Sequence, residues 1–333
     1  MSTPTSTSSP AIADKIAQID AQATMTAAVV KAYGGPEQLR LDTVPRPVPS
    51  AHEIVIQVRA AGVNPIDWKR REGYLQSAPG QSLPLVPGMD VAGVIVAVGS
   101  DAMPRRVGDE VLGLTPMNGG GFAEYIALPG SSVATKPENL TWITAGALPV
   151  AGLTAWQVLF DAGHLEGGQT VLIHAAAGGV GSMAVQFAKL RGAKVIATAS
   201  AGNHEYLRSL GADVLVDYKT QRFEDFAQGV DLVFDTLGHE TLDRSYAVVK
   251  PGGRLVTIVQ EPDAEKAKAA GITAQVHWGQ NNPAQLEEIA GLVARGQVRV
   301  NIERVFPLAE AAAALAESQS GHTRGKIVLL VSA

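Results

Sequence analysis

The sequence predicts an α/β protein of two domains, a β-rich barrel interrupted by a doubly wound parallel sheet. Three observations carry this. Up to about Leu140, short apolar runs are cut by Gly and Pro at close intervals. From about Thr144, strand-like runs alternate with helical stretches, the pattern of a parallel sheet covered on both faces. Near the end the short strands return around one Ala-rich helix, which places that segment back in the first domain. A chain of 333 residues also exceeds what one ordinary core supports. The expected division is residues 25–143 and 297–333 for the β-rich domain and 144–296 for the parallel-sheet domain.

The elements follow in order. Residues 1–24 read as an N-terminal extension, partly disordered at its Ser/Thr/Pro-rich start, with Ala11, Ile12, Ile16, Ile19 and Ala23 at the spacing of a short amphipathic helix. MTAAVVKAY opens the fold as a strand. HEIVIQVRAAGV, MDVAGVIVAVGS, DEVLGL and GGFAEYIALP supply the strands of the first domain. TVLIH, KVIAT, DVLVDY, DLVFDT and GRLVTIV supply those of the second. VRVNIERVFPL, the helix AEAAAALAES and KIVLLV complete the first.

Composition narrows the class. The chain is 46% apolar and 18% charged, and no apolar run reaches the roughly 18 residues that span a bilayer. A net charge of -5 with interspersed Lys and Arg provides no basic face for nucleic acid or an anionic membrane. The absence of Cys removes disulfides and thiolate metal sites, and fits a cytoplasmic location. The start lacks the charged and apolar regions of a secretory signal.

HAAAGGVGS, residues 174–182, sits between the strand TVLIH and a helix whose apolar face is Val180, Met183, Ala184, Phe187 and Ala188. In a GxGxxG loop the first Gly makes the turn, the second admits the pyrophosphate, and the third lets the helix pack closely. Those places fall on Ala176, Gly178 and Gly181. Ala serves at the turn if its φ stays negative. The helix-start amides at Gly179 and Val180 then provide phosphate donors. An acid about 20 residues further on would bind the ribose of NAD and repel the 2′-phosphate of NADP. Ser200 stands at that place, with Asn203, His204 and Arg208 nearby, so the expected cofactor is NADP(H). Ser200 also suits a helix N-cap.

GVNPID, PLVPGMDVAG, GGFAEY, ALPVAGLTAW, AAAGGVG, LGADVLVDY, VKPGGRLV and HTRGKIVLL, in this order, resemble the medium-chain dehydrogenase/reductase (MDR) superfamily. The resemblance is to its zinc-free quinone oxidoreductase branch, which includes alkenal/one reductases, and it covers about Ala27 to Val331. It implies a GroES-like catalytic domain interrupted by a Rossmann domain, an active site in the cleft between them, and a homodimer. Where the zinc enzymes carry a catalytic Cys, His and Glu, this chain has Asn64, Met89 and Asp90, so no metal site is expected.

Without a metal, oxidation of a simple alcohol fits poorly, whereas a quinone or enone delocalises the charge of an arriving hydride onto its own oxygen. The resemblance puts Asn64 beside the nicotinamide as the best hydrogen-bond donor, with Lys69 and then Tyr74 as further catalytic candidates. Asn64 also precedes a Pro and suits a turn, and Lys69 suits a solvated surface. The resemblance further implies cofactor contacts at Thr154, Tyr218, Leu237, Ile258, Val259 and Lys326, beside the loop residues already named. His277 and Trp278 are candidates for the border of the substrate cleft, although for an isolated Trp a core or dimer role is the expected reading. The expected function is therefore an NADPH-dependent reductase of quinones or α,β-unsaturated carbonyls. The alternatives are an enoyl-thioester reductase and a non-catalytic NADPH-binding structural or regulatory protein.

Overall fold

The computed structural model describes residues 23–78 and 81–332. The helix expected from Ala11, Ile12, Ile16 and Ile19 falls outside them. In chain order the elements are β1 (Thr24–Val30), β2 (Leu39–Pro45), β3 (Glu53–Val63), α1 (Pro65–Arg71), β4 (Asp90–Val98), β5 (Glu110–Leu114), β6 (Tyr125–Pro129) and β7 (Val133–Thr135). There follow α2 (Trp142–Gly146), α3 (Pro149–Trp156), β8 (Thr170–Ile173), α4 (Gly179–Leu190), β9 (Lys194–Ala199), α5 (His204–Ser209) and β10 (Val214–Asp217). Next come β11 (Val230–Asp235), α6 (His239–Ser245), β12 (Val249–Thr257), α7 (Ala264–Ala270), β13 (Thr273–Val276) and α8 (Pro283–Ala294). The chain ends on β14 (Ile302–Pro307), α9 (Ala311–Gln319) and β15 (Lys326–Leu330).

The strands form a GroES-like β domain and a Rossmann-type parallel sheet, the expected fold class. The larger sheet has seven strands, β14-β15-β3-β4-β5-β7 with β6 paired to β3, and β1 and β2 form an antiparallel pair beside it. β3 is hydrogen-bonded to β15, β4 and β6, which explains why most of its residues are buried instead of alternating. β15 joins β3 antiparallel, so the last strand closes onto an early one.

The second sheet is six-stranded and parallel, in the order β10-β9-β8-β11-β12-β13. β8 and β11 are its central strands. Their continuous apolar runs are buried because helices cover both faces. The chain order reverses across β8, between β9 and β11, and a ligand crevice opens at the carboxyl ends of the strands at such a point.

The two domains share a core. Met89, Ala92, Leu112 and Leu114 of the β-rich part pack in one cluster with Leu148, Leu153, Ile173 and Phe187. Trp156 meets Phe187 edge to face at 5.3 Å. α3 then continues as a wider π-turn over Gln157–Ala162, which turns Gln157 toward the interior. Among the described residues no helix is long and apolar enough to cross a membrane.

Candidate active site

At the crevice, β8 runs into the glycine loop. Ala176 keeps a negative φ, as its place requires, but the sharp turn belongs to the residue before it: Ala175 has φ 46°. Gly178 is extended (φ -72°, ψ 177°) and caps α4, and Ser182 N donates to its carbonyl at 2.9 Å. The amides before Ser182 therefore have no partner within the helix. A Cβ on Gly178 would meet only Ala175 O at 3.4 Å, so that face of the loop stands open to a phosphate. Gly181 fills the third role: a Cβ there would lie 2.6 Å from Ala175 O and 2.7 Å from Ala176 Cα. These features fit a dinucleotide pyrophosphate.

Below the loop, His174 is buried and bonded at both ring nitrogens, to Thr198 Oγ1 at 3.2 Å and Ser245 Oγ at 3.1 Å. Ser245 Oγ gives its own hydrogen to Thr241 O, so Nε2 carries the ring proton and Nδ1 accepts from Thr198. Burial holds the imidazole down to about pKa 4. The Thr198 hydroxyl also accepts from Ala175 N, which ties the ring to the strained turn.

Beside His174 a pocket of about 140 Å³ is lined by Thr198, Tyr218, Gln221, Leu237 and Arg244. Tyr218 and Leu237 are thus brought together at the ends of β10 and β11. Arg244 is held by Glu224 through two bonds of 2.7 Å. Ser200 takes the N-cap position of the next turn without a side-chain capping bond. Asn203 Nδ2 instead donates to its hydroxyl at 3.1 Å, which leaves the Ser200 O–H free to donate. His204 Nε2 is buried without a partner among the described residues, and Arg208 is exposed.

Leu237 is positioned by the buried Asp235 carboxylate, which accepts from the Leu237 and Gly238 amides and from Thr257 Oγ1. Ile258 and Val259 are half-buried at the end of β12, and a Cβ on Gly238 would stand 3.0 Å from Val259 Cγ1. The structure therefore gathers Leu237, Ile258 and Val259 at adjacent strand ends. Thr154, on α3, faces Gly279, where a Cβ would come within 3.1 Å of its hydroxyl.

The loop carrying Gly279 is clamped by one side chain that sequence reasoning missed. Gln157 Nε2 donates to Gln280 O and Gln285 Oε1, and its Oε1 accepts from Gln280 N at 2.8 Å and His277 Nε2 at 3.1 Å. All of its hydrogen-bonding capacity is used. Burial lowers the His277 pKa, and Trp278, beside it, is half exposed.

In the β-rich domain, Asn64 is the N-cap residue of α1. Asp67, at the third position of α1, accepts from the N-cap amide of Asn64 at 2.8 Å and from Gly88 N at 2.9 Å. Its burial pushes its pKa up to about 6 despite those bonds. The Asn64 side chain is 4% exposed, and its Nδ2 donates to Asp90 Oδ2 at 2.8 Å. Asp90 Oδ1 accepts from Val150 N at 2.6 Å, at the start of α3. Gly62 admits the carboxylate, since a Cβ there would collide with it.

Lys326 is 4% exposed. Its ammonium is turned into the polar cluster, where it donates to Asn64 Oδ1, Asp90 Oδ2 and Val63 O. Only its stem lies against the loop, 2.7 Å from where a Gly179 Cβ would be. Asp90 supplies the counter-charge that makes this burial tolerable.

Lys69 and Tyr74 lie around Trp68, not in that cluster. Lys69 is half-buried, and its ammonium has no hydrogen bond or ion pair among the described residues; it is 5.7 Å from the Trp68 ring, and burial lowers its pKa. Tyr74 is 69% exposed and meets Trp68 edge-on at 6.0 Å. Arg70, overlooked in the sequence, is buried and donates to Gln81 Oε1 at 3.0 Å. Among the described residues no group of three or more His, Asp or Glu is placed to hold a metal ion.

Residues 50–138 match the family described as alcohol dehydrogenase GroES-like domain, and residues 210–329 match that described as zinc-binding dehydrogenase. The chain is 34% identical to a chloroplast envelope quinone oxidoreductase homolog of Arabidopsis thaliana, over 89% of this chain and 95% of that one. It is 35% identical to an NADPH-dependent alkenal/one oxidoreductase of the same plant, over 92% and 79% respectively. Among solved structures, the quinone oxidoreductase of Coxiella burnetii superposes with a TM-score of 0.89 at 34% identity, over 93% of this chain and all of that one.

Proposed function

Because the chain belongs to the medium-chain dehydrogenase/reductase superfamily, in its quinone oxidoreductase and alkenal/one reductase branch, we propose that it reduces quinones or α,β-unsaturated carbonyls with NADPH and without a metal. The observation that carries this is the Asn64 amide, held in a buried polar cluster whose Lys326 stem lies on the dinucleotide-type loop. Bound NADPH would supply a hydride from its nicotinamide ring.

The chain's own residues do the rest. The Gly179 and Val180 amides receive the pyrophosphate, and Ser200 and Asn203 donate to the 2′-phosphate, with no carboxylate at that strand end to repel it. Leu237, Ile258 and Val259 wall the ring on one side, with Thr154 opposite. One Asn64 N–H is committed to Asp90, while the other has only a 3.5 Å contact with Gly62 O. That hydrogen is the one available to an acceptor oxygen as charge gathers there. Lys69, partly desolvated and without an ion pair among the described residues, is the cation on α1 proposed to return a proton to the hydroquinone oxygen or the enolate. Asn64, Met89 and Asp90 offer a catalytic zinc no Cys or His at the matching positions.

A homodimer is part of the same reading: β13 is an edge strand, and a second copy would extend the sheet there. Light scattering measures this directly.

The testing experiment follows NADPH and NADH oxidation by the purified protein with 1,4-benzoquinone, 9,10-phenanthrenequinone and a 2-alkenal as separate acceptors, with and without EDTA. Turnover with NADPH, unchanged by EDTA, is expected. Turnover abolished by EDTA, or tight NADPH binding with no turnover on any acceptor, would overturn the proposal. The latter would favour a non-catalytic NADPH-binding role.

A further inference from the structure

We propose that Asp90 and Lys326 are positioning residues that fix which way the Asn64 amide faces. Asn and Gln amides are nearly symmetric in shape, so an isolated one flips between two orientations of similar energy. Here the flip is closed. Lys326 can only donate and stands on Oδ1; Asp90 can only accept and stands on Nδ2. Turning the amide over would set an ammonium against an NH₂ group and a carboxylate against a carbonyl, in a site where Asn64, Asp90 and Lys326 are each at least 96% buried. The amide is also polarised. A cation on its oxygen strengthens its remaining N–H as a donor.

Three parts of the chain meet in this device. Asp90 opens β4 and is itself oriented by the Val150 amide at the start of α3, while Lys326 opens β15. The β15 segment reaches the glycine loop directly, since Gly325 N donates to Ala177 O at 2.9 Å and the Lys326 stem lies against Gly179. The orientation of a side chain in the β-rich domain is thereby tied to the loop of the parallel-sheet domain. The fold gives way to accommodate this, with glycines at Gly62 and Gly179 where any Cβ would strike Asp90 or Lys326.

The catalytic consequence rests on the proposed reductase reading, whereas the fixed amide does not. Two readouts therefore test them separately. The first is the side-chain amide NMR signal of Asn64, assigned by its loss in Asn64→Ala. A pair of sharp resonances protected from solvent exchange is expected in the wild type, and averaged, exchange-labile ones in Lys326→Met and Asp90→Asn. Unprotected signals in the wild type would overturn the proposal whether or not the protein turns over.

The second readout is kinetic. Lys326→Met keeps the stem on Gly179 and removes the ammonium. It should lower kcat by about 10- to 100-fold, the order that misplacement of a reacting group costs, while the Kd for NADPH changes by less than about threefold. In the Asn64→Ala background the same substitution should cost little more. A raised Kd with kcat intact would make Lys326 a cofactor ligand instead. A full additional loss without Asn64 would also overturn the positioning role. Should Lys326→Met fail to fold, Asp90→Asn is compared through the same cycle.

Discussion

The Ala175 carbonyl oxygen occupies the space into which a side chain on Gly181 would project, with the ideal Cβ only 2.6 Å from it. Because the opposing atoms are backbone, no rotamer change can relieve the overlap. The left-handed Ala175 turn and the close seating of α4 are thus one feature: the turn throws its carbonyl toward the helix, and a bare Gly181 lets the helix remain.

Gly181→Ala should accordingly push α4 away from the turn. The expected cost is about 1–3 kcal/mol of stability, the usual range for overpacking, and NADPH binding weakened at least tenfold because the phosphate-facing amides move with the helix. Urea denaturation and fluorescence titration measure the two effects. Unchanged values in both would show that the loop carries slack that the geometry denies.

The loop was legible in sequence because backbone approach to a phosphate restricts side chains at fixed spacings. Which of two adjacent alanines takes the left-handed angle was not, since Ala175 and Ala176 have the same intrinsic preference and tertiary hydrogen bonding decides. The strands were legible from apolar runs bounded by Gly and Pro. The burial of Lys326 against Asp90 is not legible, because Lys ordinarily keeps its charge in water and this partner lies 236 positions away. Gln157 left no local sign at all. Its meaning comes from the π-turn that rotates it inward onto a loop more than 100 positions later.

His174 contributes an acid limb to stability. Its folded pKa lies near 4, below the ordinary 6.5, so above about pH 6.5 both folded and unfolded forms are neutral and the contribution is intact. As pH falls from 6.5 toward 4 the unfolded chain takes up the proton first, and stability is lost. Asp67, raised from 3.8 to about 6, acts with opposite sign over much of the same window, losing stability as pH rises. The difference between wild type and His174→Gln is therefore the quantity to read. That difference should shrink as pH drops from 6.5 to 4, as measured by urea midpoints; a difference independent of pH would mean His174 titrates alike in both states.

Gln157→Leu removes a fully engaged amide and strands its partners on residues 277–285. A loss of about 2–4 kcal/mol is expected, from leaving several buried polar groups unsatisfied. Limited proteolysis should then cut near Trp278, where the wild-type loop resists. If the reductase reading holds, KM for the acceptor rises more than kcat falls, because the clamp shapes the rim near Thr154 and not the Asn64 cluster. A stable variant with an uncut loop would show that α8 alone holds the segment in place.

Ser200→Asp tests the cofactor assignment at the single position where charge decides it. In the wild type the Ser200 hydroxyl is paired with Asn203 Nδ2 and keeps its hydrogen for an incoming oxygen. A carboxylate there would accept from a ribose hydroxyl and repel a 2′-phosphate across a few ångströms. The Kd for NADPH should rise about 100-fold or more, and that for NADH should fall. Fluorescence titration of the two cofactors against both proteins reads the ratio. Unaltered preference would place the 2′-phosphate away from Ser200, with His204, whose buried Nε2 lacks a partner among the described residues, as the next residue to change.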